Sequence, residues 1–242
     1  RTSQKKTLLL LAVFGSILIA AQGQTSDRLE PAGVSSKVTI LVQFDVKPTT
    51  LQPFKQAQKE NVRNSKTEPG NDFMTLLEGE ADHSQLFLYE GWKDTTALQH
   101  HFAMPYTKKV LNMTKAALVQ PYKLRFLTNA LPVSAAGTNV PTDTDKILLV
   151  VFDLKTGTNK EFIQAFTTAA ARSRTEEGCI SYHLFSDKDD PDTYVLIERW
   201  HSAKDFESHL QKPYIKTLFS QIKELLRLPV ENSMTFLKDV SR

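Results

Sequence analysis

The feature that most constrains this chain is that it matches itself. Sliding the sequence by 108 residues superimposes Phe44-Asp45 on Phe152-Asp153, Phe54 on Phe162, Ser65 on Ser173, and Thr67, Glu68 and Gly70 on Thr175, Glu176 and Gly178. The register continues through Glu90 and Trp92 against Glu198 and Trp200, then through His101, Pro105 and Tyr106 against His209, Pro213 and Tyr214. Without a gap, 22 of the 74 positions from Lys37 to Val110 are identical. A fixed offset of this kind marks an internal duplication, so the two halves share one fold and any unsatisfied surface on one recurs on the other.

The duplication sets the expected domains at residues 37–131 and 145–240. Between them the stretch Asn129 to Thr144, "NALPVSAAGTNVPTDT", lacks amphipathic periodicity and is rich in Pro, Thr and Ala, which assigns residues 132–144 to a linker. Within each half, alternation at Val38, Ile40, Val42 and Phe44, and again at Leu148, Val150 and Phe152, predicts a first strand. Thr50 or Thr158 is placed to cap the helix that follows, which stops near Gly70 or Gly178. Two strands come next, at Phe73–Leu77 and Leu86–Trp92 or Ile180–Phe185 and Tyr194–Trp200. Asp94 or Ser202 caps a short helix, and Pro105 or Pro213 opens another at its first turn. A last strand near Tyr122–Leu127 or Ser233–Leu237 completes the unit.

Strand, helix, strand, strand, broken helix, strand is the order of an α+β, ferredoxin-like sandwich. Helices cover only one face of such a sheet. The other face carries Leu41 in the first half and Ile147, Leu149 and Val151 in the second, an apolar patch that water would penalise. Packing the two tandem sheets on one another removes it, which predicts an intramolecular pseudo-dimeric α/β barrel that is monomeric as a chain.

The N-terminal residues carry a separate message. Arg1, Lys5 and Lys6 precede an apolar run from Leu8 to Ala21 that ends in small residues, the pattern of a secretory signal peptide cleaved after Gly23, with residues 24–36 as a polar spacer. The expectation is a secreted, extracellular protein with no membrane attachment after cleavage. Without those three cations the balance of 30 basic and 27 acidic residues becomes even, and no Lys/Arg cluster provides the stripe a nucleic acid would need. The single cysteine, Cys179, excludes an intrachain disulfide and reads as a small buried thiol. Asn112-Met-Thr114 is the one glycosylation sequon.

The pattern "SRTEEGCISYHLF … YVLIERWHSAKDFESHLQKPY" resembles the antibiotic biosynthesis monooxygenase family, in the branch similar to bacterial quinol monooxygenases. The resemblance covers both halves and is closer in the second. It implies a dimeric α/β barrel, and an activity drawn from a range that includes oxygenation of phenols and quinols without metal or flavin, haem degradation and isomerisation of small molecules. Relatives that degrade haem use a histidine further along the last helix, and "YTKKVLNM" and "YIKTLFSQ" contain none. Many relatives carry a histidine just after the proline, where both halves here have tyrosine.

The repeated polar residues define the candidate site. On a strand, Glu90 and Trp92 share a face with Leu88, as Glu198 and Trp200 do with Leu196, and the following helix brings His101 or His209 to the same layer. Glu90-His101 and Glu198-His209 are therefore expected as proton-handling pairs, in pockets walled by Trp92 or Trp200, tipped by Tyr106 or Tyr214 and, in the second half, lined by Tyr182. A buried carboxylate needs such a partner, and an imidazole titrates near neutral pH. The same residues also suit a purely structural hydrogen bond, with the aromatic rings as core. Ser65, Ser173, Glu68 and Glu176 read as helix-end residues. No metal is expected: His100 and His101 are adjacent and point about 100° apart on a helix. Two functions follow, a secreted cofactor-free oxygenase acting on a small phenolic, quinol or polyketide-like molecule, and a secreted non-catalytic protein that binds a small hydrophobic or aromatic molecule or sits in an extracellular matrix. Divergence between the halves, Gly91 for Arg199 and Met74 for Tyr182, favours the second as the working site.

Overall fold

The computed structural model describes residues 37–132, 141–142 and 144–242. The expected signal segment, the spacer and most of the linker lie outside the described residues. The first half runs β1 (Val38–Asp45), α1 (Leu51–Ser65), β2 (Asn71–Gly79), β3 (Gln85–Trp92), α2 (Thr95–Ala103), α3 (Pro105–Ala117) and β4 (Lys123–Asn129). The second repeats it as β5 (Lys146–Asp153), α4 (Asn159–Ser173), β6 (Cys179–Asp187), β7 (Thr193–Trp200), α5 (Ala203–Leu210), α6 (Pro213–Ile222) and β8 (Met234–Asp239).

The eight strands close into a barrel in the order β1-β3-β2-β8-β5-β7-β6-β4. Each half contributes an antiparallel sheet with its first strand central, and the halves join through β2 to β8 and β4 to β6. Closure leaves no unpaired edge, which a lone four-stranded sheet would expose. The fold class expected from the duplication is thus the observed one.

Three cores result. Leu41, Leu77, Phe87, Ile147, Leu149 and Val195 are among those that fill the barrel interior, and the separate clusters of the two halves lie between sheet and helices. Part-buried ion pairs on or beside the strands cross between halves or tie strand ends. Arg125 meets Asp187 at 2.5 Å, and Arg199 meets Asp145 at 2.6 Å and Asp239 at 3.1 Å. Gly91, the counterpart of Arg199, leaves room for the Phe73 ring, which a side chain there would strike.

Local expectations need two corrections. The last strands extend to Asn129 and Asp239, beyond Leu127 and Leu237, because those residues pair with Phe185 and Leu77 of the opposite half, a contact that periodicity within one half does not encode. Thr50 and Thr158 occupy N-cap positions, but their side chains accept no helix N–H; each hydroxyl instead donates to the carbonyl of Lys47 or Lys155. Asp94 and Ser202 do cap, accepting from Ala97 N at 2.8 Å and Asp205 N at 3.1 Å. Gly70 and Gly178 both adopt φ +90°, where a left-handed turn sends the chain from helix to strand.

Candidate functional site

In the second half, β7 turns Glu198 and Trp200 towards the helices. His209 comes from the last turn of α5, held by the Ser202 cap at its start, and Pro213 then redirects the chain into α6. The imidazole is buried between two carboxyl groups. Its Nδ1 lies 2.7 Å from Glu176 Oε1, and its Nε2 lies 3.7 Å from Glu198 Oε2. The Trp200 indole N–H donates to Glu198 Oε2 at 3.0 Å, and the indole ring lies against the imidazole with centroids 4.3 Å apart. The Tyr214 hydroxyl donates to Glu176 Oε1, beside His209.

This geometry revises the expected pairing. The hydrogen-bonded partner of His209 is Glu176, from the turn before β6, while Glu198 is bonded by its own strand neighbour, Trp200. The first half agrees. His101 Nδ1 meets Glu68 at 2.7 Å, its Nε2 stands 3.9 Å from Glu90, and Trp92 N–H donates to Glu90 at 2.9 Å. From the sequence alone Glu68 and Glu176 read as helix-end residues because they follow a helix. What brings them to histidine is the glycine turn behind them. Their repetition in register was the available signal.

Burial explains the charge states. Glu198 is pushed up to about 8 by burial, against the Trp200 hydrogen bond and helped by the nearby Glu176 charge. Glu90 rises to about 7 for the same leading reason. Burial lowers His209 and His101, with Glu176 and Glu68 opposing that shift. For Glu68 burial pulls upward, but hydrogen bonds from His101 and Tyr106 outweigh it and hold the carboxyl below its ordinary value. Burial also raises Tyr106, Tyr182 and Tyr214, and pushes Cys179 up to about 12, which leaves an inert thiol. At neutral pH Glu198 is therefore a carboxylic acid and His209 a neutral imidazole. Nδ1–H donates to Glu176, which leaves the Nε2 lone pair directed inward.

Inward lies a cavity of about 20 Å³, lined by Tyr182, Glu198, His209, Phe166, Ile215 and Met234 among others. It has room for one water-sized molecule. Tyr182 lines it as expected; Trp200 does not, since its ring backs the imidazole. Tyr214 faces an outer groove instead. In the first half two of the equivalent positions are polar, Gln58 for Phe166 and Thr107 for Ile215, and Asn61 bonds to both. Thr107 donates to Asn61 at 3.2 Å, Asn61 reaches Gln58 at 3.4 Å, and Ser65 and Thr107 approach the His101 ring at 3.2 and 3.4 Å. Tyr106 lies with its ring centroid 6.3 Å from that of His101. Asn112 is exposed on α3, accessible to a modifying enzyme. Among the described residues no three His, Cys, Asp or Glu are grouped to hold a metal ion, and no helix is long and apolar enough to cross a membrane.

Comparison with known proteins adds to this geometry. The family model for antibiotic biosynthesis monooxygenases matches residues 37–112 and 147–221. An uncharacterized Synechocystis protein, sll1783, is 30% identical over 89 residues, which is 36% of this chain; the chain spans 60% of that relative's length. A Bacillus subtilis protein named "Putative monooxygenase YcnE" is 26% identical over 93 residues, covering 38% of this chain and 98% of its own. Among solved structures, one from Fusobacterium nucleatum named "Putative monooxygenase" superimposes with a TM-score of 0.76 at 17% identity, covering 86% of this chain and 94% of that one, a likeness of fold.

Proposed function

Since the chain belongs to the antibiotic biosynthesis monooxygenase family in both of its halves, we propose that it is a cofactor-independent oxygenase of small phenols or quinols, working in its second half and outside the cell. The observation that carries this reading is the His209 imidazole, fixed through Nδ1 by Glu176 and open through Nε2 to an apolar cavity that also receives a neutral Glu198. Such an imidazole is unprotonated at neutral pH and so is available as a general base. His209 Nε2 takes the phenolic proton, the anion forms against apolar walls, and Glu198 supplies a proton in return. The electron-rich anion reacts with dioxygen to a hydroperoxide, which loses water to leave a quinone; one oxygen atom enters the product and the other leaves as water. Export is supported by the basic and apolar pattern at Arg1 to Ala21.

The first half fits a supporting role, because Gln58, Asn61 and Thr107 occupy the space beside His101 with a hydrogen-bonded chain. A binding protein without turnover is the second reading, favoured by the outer groove at Tyr214, which is larger than the buried cavity and is lined by neither Glu198 nor His209. Incubation of the purified protein with a panel of quinols and naphthols under labelled dioxygen separates the two. The oxygenase reading expects one labelled atom per product molecule. Ligand binding without label in any product would leave the binder.

A further inference from the structure

The two halves differ in how their outer helices meet. In the second half α4 and α6 leave a groove of about 690 Å³ between them, a volume typical of small-ligand sites. Its lining mixes apolar side chains such as Ala165 and Leu225 with the neutral hydroxyls of Thr168 and Thr217 and the charged Glu161 and Arg172. Tyr214 stands on its rim, and that same hydroxyl donates to the Glu176 that orients His209.

Groove and buried cavity are separated by a single layer of side chains. Ala165 and Ala169 of α4 line the groove while Phe166, between them, lines the cavity; Tyr214 lines the groove and its neighbour Ile215 lines the cavity. Turning those two buried side chains aside would join the spaces and enlarge the cavity beyond one water-sized molecule, an opening of the core that is slower than a surface rotamer change. In the first half the same positions are occupied otherwise. Glu60 and Lys109, the counterparts of Thr168 and Thr217, form an ion pair at 2.6 Å across α1 and α3. Asn61 and Thr107, the counterparts of Ala169 and Ile215, are bonded to each other beneath it.

We infer that the α4–α6 groove is the entrance through which a small uncharged phenol reaches the Glu198-His209 cavity, and that the Glu60-Lys109 clasp shuts the equivalent route in the first half. This rests on the oxygenase reading for its ligand class, but the route is tested apart from turnover. Thr168 and Thr217 are exposed, so Thr168→Glu with Thr217→Lys transplants the clasp at little risk to folding.

The probe is 1-naphthol, and its binding is followed by stopped-flow quenching of tryptophan fluorescence. The clasped variant should bind at least threefold more slowly at low salt, with recovery in 1 M salt, where an exposed ion pair is screened. Ala165→Phe, which fills the groove without charge, should slow binding about tenfold at any salt. Glu60→Thr with Lys109→Thr in the first half should leave the second half's rate unchanged. Equal binding rates for wild type, clasped variant and Ala165→Phe would overturn the entrance, as would a wild-type protein that does not bind naphthol. Oxygen uptake in parallel keeps the two ideas apart: clasp-sensitive binding without uptake sinks the oxygenase reading alone, and uptake accompanied by binding that ignores the clasp sinks the entrance alone.

Discussion

Replacing Glu198 by glutamine should make the protein more stable in mildly alkaline solution while barely changing it in acid. The unfolded glutamate loses its proton near its ordinary value of 4.5, whereas the buried one keeps it to about 8. The raised folded-state value means that the native state binds the extra proton between those limits. The stability it contributes is complete below pH 4.5 and is lost as the pH climbs through 8. The interval of 8 less 4.5, at about 1.4 kcal/mol per unit, bounds the loss at about 5 kcal/mol. Glutamine keeps an oxygen for the Trp200 indole and an N–H in place of the acid proton, but does not titrate. Glu198→Gln should therefore match wild type within about 1 kcal/mol at pH 5 and exceed it by about 2 to 5 kcal/mol at pH 9. The measurement is the urea midpoint at pH 5, 7 and 9 for both proteins, with unchanged slopes establishing that the same transition is compared. A difference that does not vary with pH would refute the neutral acid, and with it the proton that Glu198 is asked to supply.

Two other perturbations test separate parts of the account. Glu176→Gln removes the carboxylate that fixes the imidazole and lets the amide donate to Nδ1 instead, which turns the Nε2 lone pair into N–H; kcat should fall by about 10²- to 10⁴-fold with KM little altered. In the first half Gln58 Nε2 is buried without a hydrogen-bond partner and its oxygen receives only the 3.4 Å contact from Asn61. Gln58→Leu should consequently stabilise the protein by about 1 kcal/mol, read as a calorimetric Tm about 2–4 °C higher, since relief of the orphaned amide exceeds the weak bond lost.

How much of this was legible in the sequence follows from which contacts are local. The 108-residue register and the apolar backs of the strands, Leu41 against Ile147 and Leu149, were enough to require a shared barrel, because a duplicated sheet has only its copy to cover it. Trp200 bonding Glu198 was within reach too, as residues two apart on a strand share a face. The partner of His209 was not. Glu176 reaches it only because Gly178 turns the chain at positive φ, and nothing in helix or strand periodicity measures where such a turn delivers a side chain. The contrast between Thr168-Thr217 and Glu60-Lys109 was visible as letters, but its meaning as an open or closed helix pair needed the packing of α4 on α6.

The central claim is that one imidazole, backed by Glu176 and facing the second half's cavity, does the chemistry. Oxygen consumption with a reactive quinol, compared between His209→Gln and His101→Gln, tests it most directly. The account predicts that the His209 variant loses at least 99% of kcat/KM, the lower end of what a positioned base contributes, while the His101 variant keeps most of it. Equal losses in both, or full activity without His209, would contradict it.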